Sequence, residues 1–317
     1  MRILITGGCG FIGSNFIRHI LDKYKDYKIC NLDKLTYAGN LENLKDLETH
    51  PRYKFVRGDI CNKKLVFDIM KHSNAVINFA AETHVDNSIK DSNEFINTNI
   101  KGTQTLLDAA KLCNIRRFIQ ISTDEVYGST NKPSKEEDTL EPNSPYAASK
   151  ASADMLARAY NVTFKVPTVI TRSSNNFGPY QHPEKLIPLF TTNLLSGKKV
   201  PLYGDGLNVR DWMYVIDNCE ALDLILHQGE TGHIYNLGGG NEKTNFEITK
   251  LILRELGRDD SCIEFVKDRL GHDRKYSLNT SKIRKMGWKP KHSFESALKE
   301  TISWYRENRK WWLRLKP

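Results

Sequence analysis

Two short stretches hold side chains whose types and spacing can do chemistry. The first, "ISTDEVYGS" (121–129), sets Thr123 before the adjacent carboxylates Asp124 and Glu125. Two neighbouring carboxyls titrate as a coupled pair, so repulsion and loss of water can hold one proton on the pair. One group can then act as an acid while the other acts as a base at the same pH. The second stretch, "SPYAASKASAD" (144–154), places Tyr146 and Lys150 four residues apart, on one face of a helix. A nearby ammonium is expected to favour the phenolate, lower the tyrosine's pKa and make it a base near neutrality. Each stretch also has a blander reading, a loop-capping acid pair and a half-buried tyrosine beside a surface lysine.

The elements that must carry these residues alternate in type. Residues 2–6, 28–33, 53–59, 75–80, 117–123 and 167–172 read as apolar strands, and residues 11–24, 97–114 and the run from Tyr146 read as helices. Such alternation predicts an α/β fold, a doubly wound parallel sheet of Rossmann type with right-handed crossovers. The acid pair then lies at the carboxyl end of a parallel strand, where open α/β sheets bind ligands. Past Arg172 the pattern changes to "SSNNFGPYQHPEKLIP", a loop rich in Asn, Gly and Pro. The expected organisation is a dinucleotide-binding unit at 1–172, with 210–240 returning to it. A smaller mixed α/β substrate unit is expected from 173–209 and 241–317.

A third motif supplies a cofactor. "GGCGFIG" gives Gly7, Gly10 and Gly13 directly after a strand and at the opening of a helix. That context allows a tight turn, close approach of backbone to a pyrophosphate, and phosphate placement at a helix N-terminus. Asp33 ends the second strand, 20 residues after Gly13. A carboxylate there accepts hydrogen bonds from an adenosine ribose and repels a 2′-phosphate, so NAD is expected rather than NADP. Lys34, beside it, would soften that repulsion.

Composition narrows the class. The 317 residues are 39% hydrophobic and 27% charged, as in a globular chain. No apolar run approaches the length of a membrane span, and glycines cut short the apolar start "MRILITGG". No membrane partner and a cytoplasmic location are the expectation. The six cysteines include no CxxC pair, which argues against a zinc site or disulfide framework. The net charge of +9 is spread along the chain, with its densest run in "ENRKWWLRLK". This fits an anionic metabolite better than nucleic acid. The tryptophans of that run read as sealing a terminal helix onto the protein.

Gly7, Gly10 and Gly13 with Tyr146 and Lys150 resemble the extended short-chain dehydrogenase/reductase family. Within it, "STDEVYGS", "NFAAETHVD", "RSSNNFGPYQHPEKLIP", "YGDGLNVRDWMYVIDN" and "DRLGHDRKY" resemble the nucleotide-sugar 4,6-dehydratases, most closely those acting on dTDP-glucose. The match runs in order through nearly the whole chain. Asn87, Ser173 and Phe177 depart from residues frequent in that family, and none touches the acids, Tyr146 or Lys150.

The resemblance implies NAD-dependent oxidation at carbon 4 of a nucleoside-diphosphate glucose, loss of water across carbons 5 and 6, and hydride return to carbon 6. Tyr146, supported by Lys150, would take the 4-hydroxyl proton. Glu125 would take the carbon-5 proton, Asp124 would protonate the leaving 6-hydroxyl, and Thr123 would hold the 4-oxygen. The turn residues Phe11 and Ile12, then Lys34, Leu35 and Thr36, would contact NAD. Asp59 and Ile60 would flank the adenine, Ala80, Ala81 and Thr98 would line the cofactor, and Asn176 would lie near the nicotinamide. His84, Asn175, Lys185, Leu186, Pro201, Tyr203, Arg210, Asn245, Arg269 and His272 would face the sugar nucleotide, with the arginines suited to a diphosphate. A homodimer is implied as well. A UDP-glucose dehydratase, an epimerase or decarboxylase on the same scaffold, and a NAD-binding protein without turnover are the alternatives.

Overall fold

"RILIT" is apolar on both faces and is stopped by glycine. In the computed structural model, which describes residues 1–316, it forms strand β1 (Arg2–Thr6). Ile3 and Ile5 enter one helical layer, and Leu4 enters the other. The remaining strands, numbered along the chain, are β2 (Lys28–Asp33), β3 (Tyr53–Arg57), β4 (Ala75–Asn78), β5 (Arg117–Thr123) and β6 (Thr168–Ser173), followed by β7 (Asn175–Phe177), β8 (Val200–Tyr203), β9 (Val209–Tyr214), β10 (Ile234–Leu237), β11 (Glu242–Thr244) and β12 (Ile263–Val266). Seven of them form one sheet in the order β10–β6–β5–β4–β1–β2–β3, with every neighbouring pair parallel. This is a doubly wound Rossmann-type sheet. Its order reverses between β1 and β4, and the crevice at such a point is where these sheets take ligands.

Smaller pieces lie beyond it. β11–β9–β7 make a three-stranded mixed sheet, and β12–β8 make a parallel pair. Thus Val209–Tyr214 leaves the large sheet, whereas the helix Val215–Gln228 packs beside the helix Phe11–Lys23, and β10 extends the large sheet next to β6. One apolar core runs from Ile3, Ile5 and Phe16 through Trp212 and Met213 to Ile248, Ile252 and Phe294.

Three expected elements are changed, two by long-range contacts and one by a local turn. The strand expected over 75–80 stops at Asn78, because Phe79 and Ala80 turn against Gly7. A Cβ on Gly7 would lie 2.6 Å from the Ala80 nitrogen, so this approach needs glycine. The strand over 53–59 stops at Arg57, and the Asp59 carboxylate accepts the Cys61 amide at 2.8 Å in a turn. The helix over 97–114 is π-helical from Ile96 to Gly102 and α-helical from Thr103 to Leu112. In the wider turn, Asn99 points inward, accepts the Glu82 amide at 3.0 Å and donates to Ser149 Oγ at 2.8 Å. Single π-turns of this kind mark functional sites in many helices.

The helix that carries the tyrosine is sharply started. Ser144 caps it by accepting the Ala147 amide at 3.1 Å, and Pro145 occupies the first helical position. Tyr146 is thereby fixed in the first turn. Lys150 follows on the same face, toward the end of β5.

Candidate active site

A deep cavity opens at the carboxyl ends of β1, β2, β4, β5 and β6. It is lined at one end by Gly7, Gly10, Phe11, Ile12, Gly13, Asp33, Lys34, Thr36, Asp59 and Ile60. Ala80, Ala81 and Thr98 line its middle, and Thr123, Asp124, Glu125, Tyr146, Lys150, Asn175, Asn176 and Lys185 line the other end. Residues expected at a cofactor and at a reacting centre are therefore brought into one space.

The glycine-rich end fits a dinucleotide. The helix Phe11–Lys23 has Gly10 at its N-cap with no side chain capping it, so the amides of its first turn are left for a ligand. A Cβ on Gly13 would lie 2.6 Å from the Gly7 oxygen, so side chains are excluded from the cradle. Asp33 is buried and accepts the Cys9 amide at 2.9 Å and the Leu35 amide at 2.8 Å. Leu35 itself, with φ of 58°, does not line the cavity; its amide orients Asp33. Lys34 does not stand free beside Asp33. Its ammonium lies 3.0 Å from Asp59 Oδ2, which leaves the acid at the ribose position without a cationic partner of its own.

At the reacting end the two acids sit in different surroundings. Thr123 ends β5, accepts the Glu125 amide at 3.3 Å and donates to Asp124 Oδ1 at 3.2 Å. The other oxygen, Asp124 Oδ2, is buried without a partner. Burial, and then the Glu125 charge, push the Asp124 pKa well above the usual carboxylate range. Glu125 is also raised by burial, but Arg269, Arg210 and Lys185 oppose that rise. Asp124 is the member that keeps a proton.

Tyr146 departs from the expectation. Burial, Glu125 and Asp124 push its phenol well above the ordinary tyrosine value, and the neighbouring Thr123 hydroxyl opposes them. The Lys150 ammonium donates to the Ile121 carbonyl at 2.5 Å. Burial brings Lys150 itself down to about 8.

Of the expected sugar-nucleotide residues, Asn175 and Lys185 line the cavity, whereas Tyr203, Arg210, Asn245, Arg269 and His272 do not, although Arg210 and Arg269 lie close enough to act on Glu125. Lys185, which donates to the Thr83 carbonyl at 3.1 Å, joins Arg210 and Arg269 around Glu125. Arg210 is buried, with its guanidinium 4.3 Å over the Tyr276 ring. Tyr203 and His272 meet edge to face, with centroids 6.3 Å apart. The Asn245 side-chain oxygen and Arg269 Nε are buried and unpartnered, as polar groups awaiting a ligand would be. His84 does not line the cavity; its imidazole lies 3.8 Å from Glu184, which does, and burial lowers its pKa to about 4. Leu186 packs on the main core, and Pro201 lies in the β8–β12 pair. Neither reaches the cavity wall.

Several lining residues escaped the sequence reading. Glu184, His182 and Glu82 line the cavity, and the Tyr37 hydroxyl donates to Glu184 at 3.1 Å. The only local signal was that Glu184 and His182 sit in the loop "PYQHPEKLIP". Behind the site, Asp154 and Arg172 form a fully buried ion pair at 3.0 Å. Arg172 also donates to the Tyr127 hydroxyl at 2.7 Å. Among the described residues no cluster suits a metal ion, and no helix is long and apolar enough to cross a membrane.

Comparisons with known proteins identify the family. Residues 4–301 match the family described as GDP-mannose 4,6 dehydratase. A dTDP-glucose 4,6-dehydratase of an Actinoplanes species is 50% identical over 98% of this chain and 100% of its own. The low-salt glycan biosynthesis protein Agl12 of Haloferax volcanii is 50% identical over 96% of this chain and 98% of its own. The crystal structure of a dTDP-glucose 4,6-dehydratase from Streptomyces venezuelae, solved with NAD bound, superposes with a TM-score of 0.97. It is 51% identical and covers all of both chains.

Proposed function

The chain belongs to the GDP-mannose 4,6-dehydratase family, and from that premise we propose that it is an NAD-dependent dTDP-glucose 4,6-dehydratase, a hydro-lyase. The observation that carries this reading is the Asp124–Glu125 pair. Both carboxyls are desolvated, one is driven to keep its proton, and the other faces three cations. Elimination of water needs such a division, an acid for the leaving hydroxyl and a base for the carbon-bound proton.

NAD held at Gly7, Gly10, Gly13 and Asp33 supplies a reversible two-electron acceptor and, when oxidised, a positive ring charge. The remaining steps belong to the chain. Tyr146, raised by burial and the acid pair, must first release its own proton to solvent, which the positive charges of Lys150 and of the bound cofactor would favour; as the phenolate it would then receive the 4-hydroxyl proton. Glu125 removes the proton from carbon 5, made acidic by the new 4-ketone. Asp124 delivers its proton to the 6-oxygen, and water leaves. Thr123 donates its one hydroxyl proton to Asp124 Oδ1 and holds the acid in place; it reaches the 4-oxygen by turning that proton away from Asp124. Lys185, Arg210 and Arg269 neutralise the diphosphate, and Tyr203 stacks on the base.

The unit from 173–209 and 241–317, together with β9 and its Arg210, holds the sugar nucleotide, and residues 1–172 with 215–240 hold NAD. dTDP is preferred because relatives 50% and 51% identical over nearly the whole chain are named for dTDP-glucose. The protein works in the cytoplasm as a homodimer. Exposed apolar side chains on the adjacent helices Thr103–Leu112 and Pro145–Phe164 supply a surface for a second copy. They are Leu112, Met155, Val162 and Phe164.

Incubation with dTDP-glucose and with UDP-glucose tests the reading. A 4-keto-6-deoxy sugar nucleotide formed from the first, with no net reduced cofactor, is expected. A galactose or xylose product would instead mark an epimerase or decarboxylase, and absence of turnover would mark a binding protein. Preference for UDP-glucose would overturn the choice of nucleotide. Sedimentation at equilibrium is expected to give twice the chain mass.

A further inference from the structure

The C-terminal helices Phe294–Glu307 and Arg309–Leu313 have no part in the reaction as derived, yet their aromatic face reaches the cofactor cavity at two points. At the first, the Trp311 indole donates to Asn43 Oδ1 at 2.8 Å, and Asn43 Nδ2 donates to the Cys9 carbonyl at 2.8 Å. Cys9 lies between Gly7 and Gly10 in the glycine-rich turn, and its amide is the one held by Asp33. A side-chain amide can face either way, and an indole N–H can only donate. Trp311 therefore turns the Asn43 oxygen toward itself and commits the NH₂ group to Cys9.

At the second point, the Tyr305 hydroxyl donates to the Gln181 carbonyl at 2.5 Å. Gln181 Nε2 in turn donates to the Asn176 carbonyl at 2.9 Å. Gln181 and Asn176 both line the reacting end of the cavity. The two points are joined by one aromatic block. Trp304 packs on Tyr180 at 4.7 Å and on Trp311 at 5.0 Å, and the Arg18 guanidinium lies 4.5 Å over Tyr180.

Resting on the assignment of this cavity to NAD, we infer that the C-terminal helices are a two-ended clamp on the cofactor site. Trp311, acting through Asn43, sets the turn for the pyrophosphate. Tyr305, acting through Gln181, sets the Asn176 segment for the nicotinamide. Both are positioning residues.

Trp311→Phe and Tyr305→Phe each remove one donor and keep a ring. The full chain, freed of cofactor, is titrated calorimetrically with NAD, ADP-ribose and dTDP. Trp311→Phe is expected to weaken NAD and ADP-ribose alike, by roughly three- to tenfold, the worth of one hydrogen bond. Tyr305→Phe is expected to weaken NAD by a similar factor and leave ADP-ribose within about twofold of the parent, since only NAD carries the nicotinamide. dTDP should stay within about twofold in both. Asn43→Ala probes the first link from its other side, and adding Trp311→Phe to it should cause no further loss.

Unchanged NAD affinity in the variants, additive losses at Asn43 and Trp311, or equal weakening of dTDP would overturn the clamp. A parent chain that binds neither NAD nor ADP-ribose would overturn the cofactor assignment and the clamp with it. A parent that binds both while its variants match it overturns the clamp alone.

Discussion

Glu125→Gln keeps the shape of the side chain and removes two things, a base and a charge. Loss of a positioned base lowers kcat by roughly 10²- to 10⁴-fold, or about 3 to 5 kcal/mol in the barrier. Loss of the charge acts separately. Glu125 is surrounded by Arg269, Arg210 and Lys185, so its removal leaves those cations less neutralised. A diphosphate then meets a more positive wall, and KM holds or falls. Asp124 also responds, because Glu125 is the second cause, after burial, of its raised pKa. With glutamine beside it, Asp124 releases its proton more readily, and any residual activity fades at a lower pH than in the parent. The assay is turnover of dTDP-glucose in heavy water. Deuterium should be absent from carbon 5, while oxidation at carbon 4 remains visible as reduced-nicotinamide absorbance. A kcat within about tenfold of the parent, with deuterium at carbon 5, would refute the base assignment. A large rise in KM at unchanged kcat would move Glu125 from chemistry to binding.

Three further outcomes are expected. Lys150→Met should abolish turnover yet stabilise the fold at neutral pH. Holding the ammonium at about 8 rather than 10.5 is worth about 3 kcal/mol against folding, partly offset by the Ile121 carbonyl left without its donor. Between those values the unfolded chain binds the extra proton, so parental stability rises with pH there. The advantage of Lys150→Met in thermal melts should therefore be full below pH 8 and shrink toward pH 10.5. Arg172→Met strands the buried Asp154 and should lower stability by about 3–5 kcal/mol in urea unfolding. Arg172→Met with Asp154→Leu should recover most of that loss. Gly13→Ala places a methyl 2.6 Å from the Gly7 oxygen, a backbone atom that cannot step aside. It should weaken NAD binding by about tenfold or more, an overpacking cost of roughly 1–3 kcal/mol, read by titration.

The legible parts of the protein are those determined locally. Residues 2–6, 28–33 and 117–123 form strands over the expected spans, because each apolar run is bounded by residues that end it nearby. The strand expected over 75–80 is shortened by a contact with Gly7, and the helix over 97–114 is widened by Asn99 reaching Glu82 and Ser149. Neither partner is near in sequence. The same division holds in the site. The glycine turn, the acid pair and the Tyr146–Lys150 spacing are local motifs. Glu184 and Tyr37 meet only because the loops after β7 and β2 converge over the cavity. The helical spacing put Lys150 one turn from Tyr146, but it carried no information on where the ammonium points. That direction is toward Ile121, and the rise in the phenol comes from burial and the acid pair.

Adjacency of the two acids raises a physical difficulty, since neighbouring carboxyls of similar ordinary pKa should compete for one proton with little preference. The fold removes the degeneracy at the end of β5. Thr123 accepts the Glu125 amide and turns the chain, so consecutive side chains leave it into different surroundings. Asp124 goes inward, where burial, Glu125 and Asp211 all favour the neutral acid and only Arg210 and the Thr123 hydroxyl oppose them. Glu125 goes toward the cavity, where Arg269, Arg210 and Lys185 favour the anion. The cations that would neutralise a diphosphate therefore also select which carboxyl is the base. A substitution at Arg269 should accordingly disturb two properties together, nucleotide affinity and the pH at which Glu125 ionises. Arg269→Gln is expected to raise KM and to move the acidic limb of the pH–rate profile upward, because Glu125 loses its largest stabilising charge. A rise in KM with an unmoved acidic limb would separate the binding wall from the acid pair and defeat this account.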